Sequence, residues 1–78
     1  MNYEFPQFRR IQNRSYYKIL SETEIIEIQI VGNRILKYYL KAELYFEKSF
    51  IKDLLSTDSG RYEISNRSEF DELEKSGN

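Results

Sequence analysis

The stretch EIIEIQIVGNRILKYYLK, residues 24–41, decides the fold, because two runs of β-branched and aromatic residues flank Gly32-Asn33. β-Branched side chains lose rotamer freedom in a helix and pack well on a pleated sheet, so both runs are predicted to be strands. Gly and Asn tolerate positive φ and form a turn signal between apolar runs. The stretch therefore predicts an antiparallel hairpin, with its first strand over Glu24–Val31.

Each strand of this hairpin has a helical alternative. Ser21 and Glu24 have the spacing of a capping box, which favours a helix through the isoleucines that follow. Leucines at positions 36, 40 and 44 would align along one side of a second helix, but no capping residue precedes them. Because the alternation of apolar and polar residues is long, we favour a strand that runs from residue 34 to Phe46, with a bend near Ala42.

Polarity predicts the register of the strands. A three-residue loop, Gly32–Arg34, places Ile28 opposite Tyr38, whereas a two-residue loop would place Lys37 beside Ile28. A four-residue loop, Ser21–Glu24, places Tyr17 opposite Ile28. Both choices gather one apolar face of a three-stranded meander. That predicted face contains Tyr17, Ile19, Ile26, Ile28, Ile30, Leu36, Tyr38 and Leu40.

The sequence on the N-terminal side of the hairpin predicts short extended elements. Residues 1–7 contain the only proline and are expected to form an extended segment. Phe8–Gln12 is predicted to be a short strand and Asn13-Arg14 a turn. Residues 15–20, SYYKIL, have the aromatic and β-branched content of a second strand.

The sequence on the C-terminal side predicts two helices and one more strand. Ser49 is a plausible N-cap for a helix that ends at Asp58-Ser59-Gly60. Arg61–Ile64 is predicted to be a short strand. Ser65 or Asn66 then caps a last helix. The first helix would bury Phe50, Ile51, Leu54 and Leu55, and the last would dock through Phe70 and Leu73.

These elements predict an α+β fold. It is an antiparallel β-meander of three to five strands, with one or two short helices packed on one face. The chain has 78 residues, of which 40% are hydrophobic, and this is enough for one modest core. We therefore expect one domain, residues 1–78, with residues 76–78 as a frayed C-terminus.

The composition excludes the commonest kinds of catalytic and metal-binding site. The chain has no Cys and no His, so it lacks thiolate ligands, the commonest protein metal ligand and the commonest general base. Its three glycines lie far apart and form no phosphate-binding loop. We expect no cofactor, no metal, no small-molecule substrate and no enzymatic activity. No apolar run resembles a signal peptide or a membrane span, so we also expect no membrane partner and a cytoplasmic location.

The sheet face opposite the predicted core is the candidate interaction face. It would be rich in tyrosine and lysine, and tyrosine is enriched at interfaces because its ring is apolar while its hydroxyl remains hydrated. The residues of this candidate face are Tyr16, Lys18, Ile35, Lys37, Tyr39, Lys41 and Tyr45. A candidate basic patch, Arg9, Arg10 and Arg14, precedes it in the chain.

Three functions are compatible with these residues. The first is a small protein-interaction module that binds a protein partner or a second copy of itself. The second is binding of single-stranded RNA by the basic and aromatic side chains. The third is a ribonuclease without histidine, in which Arg9, Arg10, Arg14, Tyr16 and Lys18 act with a carboxylate. We favour a protein partner, because the net charge is −1 and Glu27 and Gln29 separate the basic residues.

Overall fold

The computed structural model describes residues 3–12, 14–56 and 60–76. All the strands belong to one antiparallel sheet with the order β4-β3-β2-β1-β5. The α+β class, the meander of neighbouring strands and the two helices are confirmed. The elements are β1 Gln7–Ile11, β2 Ser15–Ser21, β3 Glu24–Val31, β4 Arg34–Lys41, α1 Tyr45–Leu55, β5 Glu63–Ile64 and α2 Arg67–Ser76.

The predicted registers are wrong by one residue on both sides of β3. Val31 pairs with Arg34 across a two-residue turn, Gly32-Asn33, so Ile28 lies opposite Lys37. Gly32 has φ 63°, as such tight hairpin turns require. On the other side of β3, Ile28 lies opposite Tyr16. The prediction failed because it assumed one apolar and one hydrated face, and this sheet is covered on both.

One face of the sheet packs against α1, and we call it the α1 face. Its buried strand residues are Tyr17, Ile19 and Ile25, which belong to one cluster with the helix. The ring of Tyr17 contacts the rings of Phe50 and Tyr62 edge-on, with centroids 5.9 and 6.3 Å apart. The other buried members of this cluster are Ala42, Ile51, Leu54 and Leu55.

The opposite face packs against α2, and we call it the α2 face. Phe70 is the buried anchor of this helix, and it lies in one cluster with Phe8, Tyr16 and Ile28. The partly buried residues around this cluster are Ile26, Ile30, Ile35 and Leu73. Neighbouring residues of a strand point to opposite faces, so the two clusters are separate cores. The helices therefore lie on opposite faces of the sheet. The prediction that they pack on one face is wrong.

The junction between β4 and α1 also differs from the prediction. The strand ends at Lys41 and the helix begins at Tyr45, before the predicted N-cap Ser49. The carboxylate of Glu47 accepts backbone N–H groups of Glu43 and Leu44 at 3.0 and 2.9 Å, and these bonds start the helix earlier. The predicted continuation of the strand to Phe46, with a bend near Ala42, is wrong, because the strand ends at Lys41.

The last helix begins as predicted. The side-chain oxygen of Asn66 accepts the backbone N–H of Glu69 at 2.9 Å, and Phe70 and Leu73 dock the helix. The predicted strand Arg61–Ile64 is present as the two residues of β5. Parts of other predictions lie outside the described residues: Asn13 in the first turn, Asp58 and Ser59 at the end of α1, and both chain ends, at 1–2 and 77–78.

Replacing isoleucine by valine should destabilise the protein more at a buried position of the sheet than at its exposed edge. Ile28 is fully buried between β3 and α2, so Ile28→Val should lower the free energy of unfolding by about 1 kcal/mol. Ile64 in β5 is 69% exposed, and Ile64→Val should change stability by less than about 0.5 kcal/mol. Urea denaturation measures both. Equal losses would contradict the placement of Ile28 in a core.

Candidate interaction surface

The candidate interaction face is not an open surface. Tyr16 is only 7% exposed, because it lies beneath α2 with Phe70. Ile35 is half-buried against the same cluster, and Lys18 is half-buried beside it in the sheet. Tyr45 belongs to α1 and not to the sheet. The expectation that Tyr16 and Tyr45 share an accessible sheet face is therefore wrong, since α2 covers that face.

The remaining members of the candidate face lie together on β4. Lys37, Tyr39 and Lys41 alternate along this strand and all three are exposed. The ammonium of Lys37 pairs with Glu74 of α2 at 2.6 Å, which lowers the pKa of that carboxyl. The hydroxyl of Tyr39 donates to Glu24, a hydrogen bond that raises the pKa of the phenol. Of the predicted interaction face, Lys37, Tyr39 and Lys41 therefore remain exposed together, at the β4 edge of the α2 face.

The three arginines of the candidate basic patch are dispersed. Arg9 and Arg10 are neighbours in β1 and so point to opposite faces. Arg10 lies on the α2 face, where its guanidinium pairs with Glu69 at 2.8 Å and with Glu63 at 3.6 Å. Arg14 is exposed at the β1–β2 turn. The three side chains therefore form no common basic surface.

Arg9 is buried on the α1 face and serves as a tie between β1 and α1. Its guanidinium donates to the carbonyl oxygens of Leu54 and Leu55 at 2.9 and 3.3 Å. It also donates to the Phe8 carbonyl and the Gln7 side chain, at 2.9 and 2.7 Å. The last carbonyl groups of a helix lack hydrogen-bond donors within the helix. Here the guanidinium of Arg9 is the donor to two of them. Burial lowers the pKa of Arg9, but an arginine remains protonated in a protein.

Removal of the Arg9 tie should destabilise the fold. Arg9→Met keeps the aliphatic stem but leaves the Leu54 and Leu55 carbonyl groups without their donor, at a cost of about 2 kcal/mol. Arg14→Met is the matched control, since Arg14 is exposed. Guanidinium denaturation measures both variants. If the two variants unfold at the same midpoint, Arg9 does not support α1.

A shallow cavity of about 250 Å³ lies between α2 and the sheet. Its lining residues are Tyr16, Glu69, Glu72, Leu73 and Ser76. The carboxylate of Glu69 already accepts from Arg10 at 2.8 Å and from the Ser65 hydroxyl at 2.5 Å. Within residues 3–12, 14–56 and 60–76, no group of three or more acidic side chains is arranged to hold a metal ion. The Glu69 carboxylate in this cavity is therefore already engaged within the fold.

The exposed apolar side chains concentrate at the end of β4 and the start of α1. Tyr38 and Tyr39 are 49% and 59% exposed, and Leu44, Tyr45 and Phe46 are 57%, 85% and 67% exposed. Two residues, Ala42 and Glu43, separate the end of β4 at Lys41 from Leu44, so the two groups are close in the chain. We call these five residues the aromatic edge.

Glu47 holds one half of the aromatic edge in place. Its carboxylate accepts the backbone N–H groups of Leu44 and Glu43, and these bonds lower the pKa of Glu47. Leu44–Phe46 are thus fixed in the first turn of α1 with their side chains in solvent. The sequence-based prediction missed Leu44 and Phe46 because it placed them in a strand. Glu47, placed to receive the orphan amides of a helix start, was the available signal.

The outer side of β4 carries backbone groups that no described strand pairs. β4 is the terminal strand of the sheet, and the amide of Ala42 donates inward to the Thr23 carbonyl at 2.6 Å. Successive residues of a strand bond to opposite sides, so even-numbered residues of β4 bond to β3. The Ile30 amide, which donates to Arg14 and not to β4, gives the same parity. The residues that direct their N–H and C=O groups outward are Ile35, Lys37, Tyr39 and Lys41.

Amide hydrogen exchange should therefore alternate along β4. The amides of Leu36, Tyr38 and Leu40 should exchange slowly because they bond to β3, whereas those of Lys37 and Tyr39 should exchange rapidly. NMR-detected exchange on a dilute sample measures this pattern. In β3, which has strands on both sides, neighbouring amides should be protected alike. Equal protection of Tyr38 and Tyr39 would contradict an open edge.

Comparison of the chain with protein-family models, with curated proteins and with solved structures finds no match. No helix in the described part of the chain is long and apolar enough to cross a membrane.

Proposed function

We propose that the protein is a non-enzymatic interaction module that binds another protein through the aromatic edge. The observation that carries the proposal is the exposure of three consecutive large apolar side chains, Leu44, Tyr45 and Phe46, which follow the exposed Tyr38 and Tyr39 in the chain. Single exposed apolar residues are ordinary, whereas a cluster of them typically marks an interaction site. Tyrosine and phenylalanine are also enriched in the buried centres of interfaces.

The position of the aromatic edge supports the same function. Its members extend from a terminal strand and from the first turn of a helix, and both elements are held by the sheet and by Glu47. A surface that is already ordered loses little conformational entropy on binding. The surface therefore has the apolar content and the rigidity that a binding site needs.

The nucleic-acid and ribonuclease alternatives lack comparable support. The ribonuclease requires Arg9, Arg10, Arg14, Tyr16 and Lys18 on one accessible surface. The RNA-binding face would also use Lys37, Tyr39 and Lys41, of which Lys37 is paired with Glu74 and Tyr39 with Glu24. Arg9 is buried against α1, Arg10 is paired with Glu69 and Glu63, and Tyr16 lies beneath α2. The bases of a single strand would have no stacking platform at Tyr16, and the arginines are engaged within the fold.

Peptide display tests the proposed function without knowledge of the natural partner. A library of random peptides is selected on the wild-type protein, and the enriched peptides are then measured on the double variant Tyr45→Ser/Phe46→Ser. We expect their affinity to fall at least about tenfold, because aromatic residues dominate interface energetics. Circular dichroism verifies that the variant is folded, as expected for side chains that are 85% and 67% exposed.

Ile64→Ser is the control for loss of an exposed apolar side chain elsewhere, since Ile64 lies in β5 at the other edge of the sheet. It should leave peptide binding unchanged. The proposal fails if the wild type enriches no peptide, or if the double variant binds the enriched peptides as well as the wild type does. Tight, salt-sensitive binding of a random RNA pool without any peptide binding would also contradict it.

A further inference from the structure

We propose that the partner binds as an added antiparallel strand on β4, and that this strand carries the pattern acidic, any, apolar, any, acidic. The inference rests on the proposed function and specifies its partner as an extended acidic segment. It follows from three features of β4: the direction of its backbone groups, the charge of its side chains and the spacing of those charges.

The backbone of β4 provides a continuous set of outward donors and acceptors. Ile35, Lys37, Tyr39 and Lys41 direct their N–H and C=O groups away from β3, as the inward bond from Ala42 to Thr23 establishes. An extended segment satisfies such an edge by backbone hydrogen bonds, and its side chains then give specificity. An antiparallel segment continues the arrangement of the whole sheet.

The side chains of β4 are basic. The strand carries Arg34, Lys37 and Lys41 and no acidic residue. Pairing of β4 with β4 of a second copy would place two sets of three positive charges on one ladder, with no acidic residue on either strand. Like charges on adjacent strands destabilise pairing, whereas opposite charges stabilise it. The charge of the edge thus favours an acidic partner over a second copy.

The spacing of these residues specifies the partner's pattern. Lys37, Tyr39 and Lys41 are alternate residues that point to the same face, and they are also the residues whose backbone groups point outward. The residues opposite them in an antiparallel partner are therefore acidic, apolar and acidic, with one residue between each. The apolar residue packs on the ring of Tyr39, which is 59% exposed.

Two carboxylates of the protein already lie near these lysines. Glu74 pairs with Lys37 at 2.6 Å, and Glu24, which accepts from the Tyr39 hydroxyl, lies opposite Lys41 in the sheet. The side chain of Lys37 is 53% exposed, and ion pairs with such exposure contribute little. Each ammonium has three donors, so a carboxylate on the added strand shares the lysine without displacing the existing one.

The test uses the capped peptide Thr-Glu-Thr-Val-Thr-Glu-Thr, titrated to millimolar concentration into the full chain while amide NMR signals are recorded. We expect the largest shifts at the Lys37, Tyr39 and Lys41 amides, and slower hydrogen exchange at the same positions. Replacing both glutamates of the peptide by lysine should raise the dissociation constant at least about tenfold. The variant Lys41→Glu should recover part of the affinity for that lysine peptide.

Two N-methylated peptides separate strand addition from side-chain contact alone. Methyl groups on the two glutamate amides and the valine amide remove the donors that face β4, and binding should weaken at least about tenfold. Methyl groups on the amides of the third, fifth and seventh residues, which are all threonine, point away from β4, and binding should be retained. Equal effects of the two sets, or equal binding of the glutamate and lysine peptides, would overturn the inference.

The two proposals can fail separately. If displayed peptides depend on Tyr45 and Phe46 but show neither the acidic pattern nor sensitivity to N-methylation, strand addition is wrong and the interaction module stands. If the glutamate peptide adds to β4 while the double variant Tyr45→Ser/Phe46→Ser binds every peptide normally, the inference about the strand stands. In that case, the α1 part of the aromatic edge is not a binding surface.

Discussion

The fold depends on one constraint, which is that neighbouring side chains of a strand must be buried on opposite faces. Tyr16 and Tyr17 in β2 are 7% and 5% exposed, and they project to different sides of the sheet. A sheet with both faces apolar is stable only when each face is covered. α1 covers the Tyr17 side and α2 the Tyr16 side. The tie from Arg9 to the end of α1 and the ion pairs of Arg10 and Lys37 with α2 follow from this three-layer arrangement.

Local signals in the sequence predicted the elements well, because they depend on short-range chemistry. The β-branched run Glu24–Val31 and the Asn66 cap appear where the sequence placed them, and the turn at Gly32-Asn33 is one residue shorter than predicted. The predicted strand register was wrong, because it was inferred from the assumption that one side of β3 is hydrated. Ile25 and Ile28 are both fully buried on opposite faces, so neither face of β3 is hydrated at its centre. That information lies in the packing of α1 and α2, which local patterns do not contain.

The candidate site was predictable only in part for the same reason. Alternation placed Lys37, Tyr39 and Lys41 on one side of one strand, and they are together there. Sequence patterns could not show that α2 covers Tyr16, nor that the Arg9 side chain donates to the carbonyl groups at the end of α1. They also could not show that β4 is the terminal strand, since strand order depends on where β5 pairs. The aromatic edge emerges where an exposed strand end meets a helix start that Glu47 fixes.

The two ends of the sheet are unequal. β4 offers eight residues, whereas β5 at the other end has only Glu63 and Ile64. Growth of an amyloid-like row needs a donor edge and an acceptor edge on every copy, because each new molecule must both join and be joined. A chain with one long edge can complete a single pairing and then stop. Because β5 is so short, it provides no second edge for strand pairing. The protein can therefore keep β4 open without edge-to-edge polymerisation.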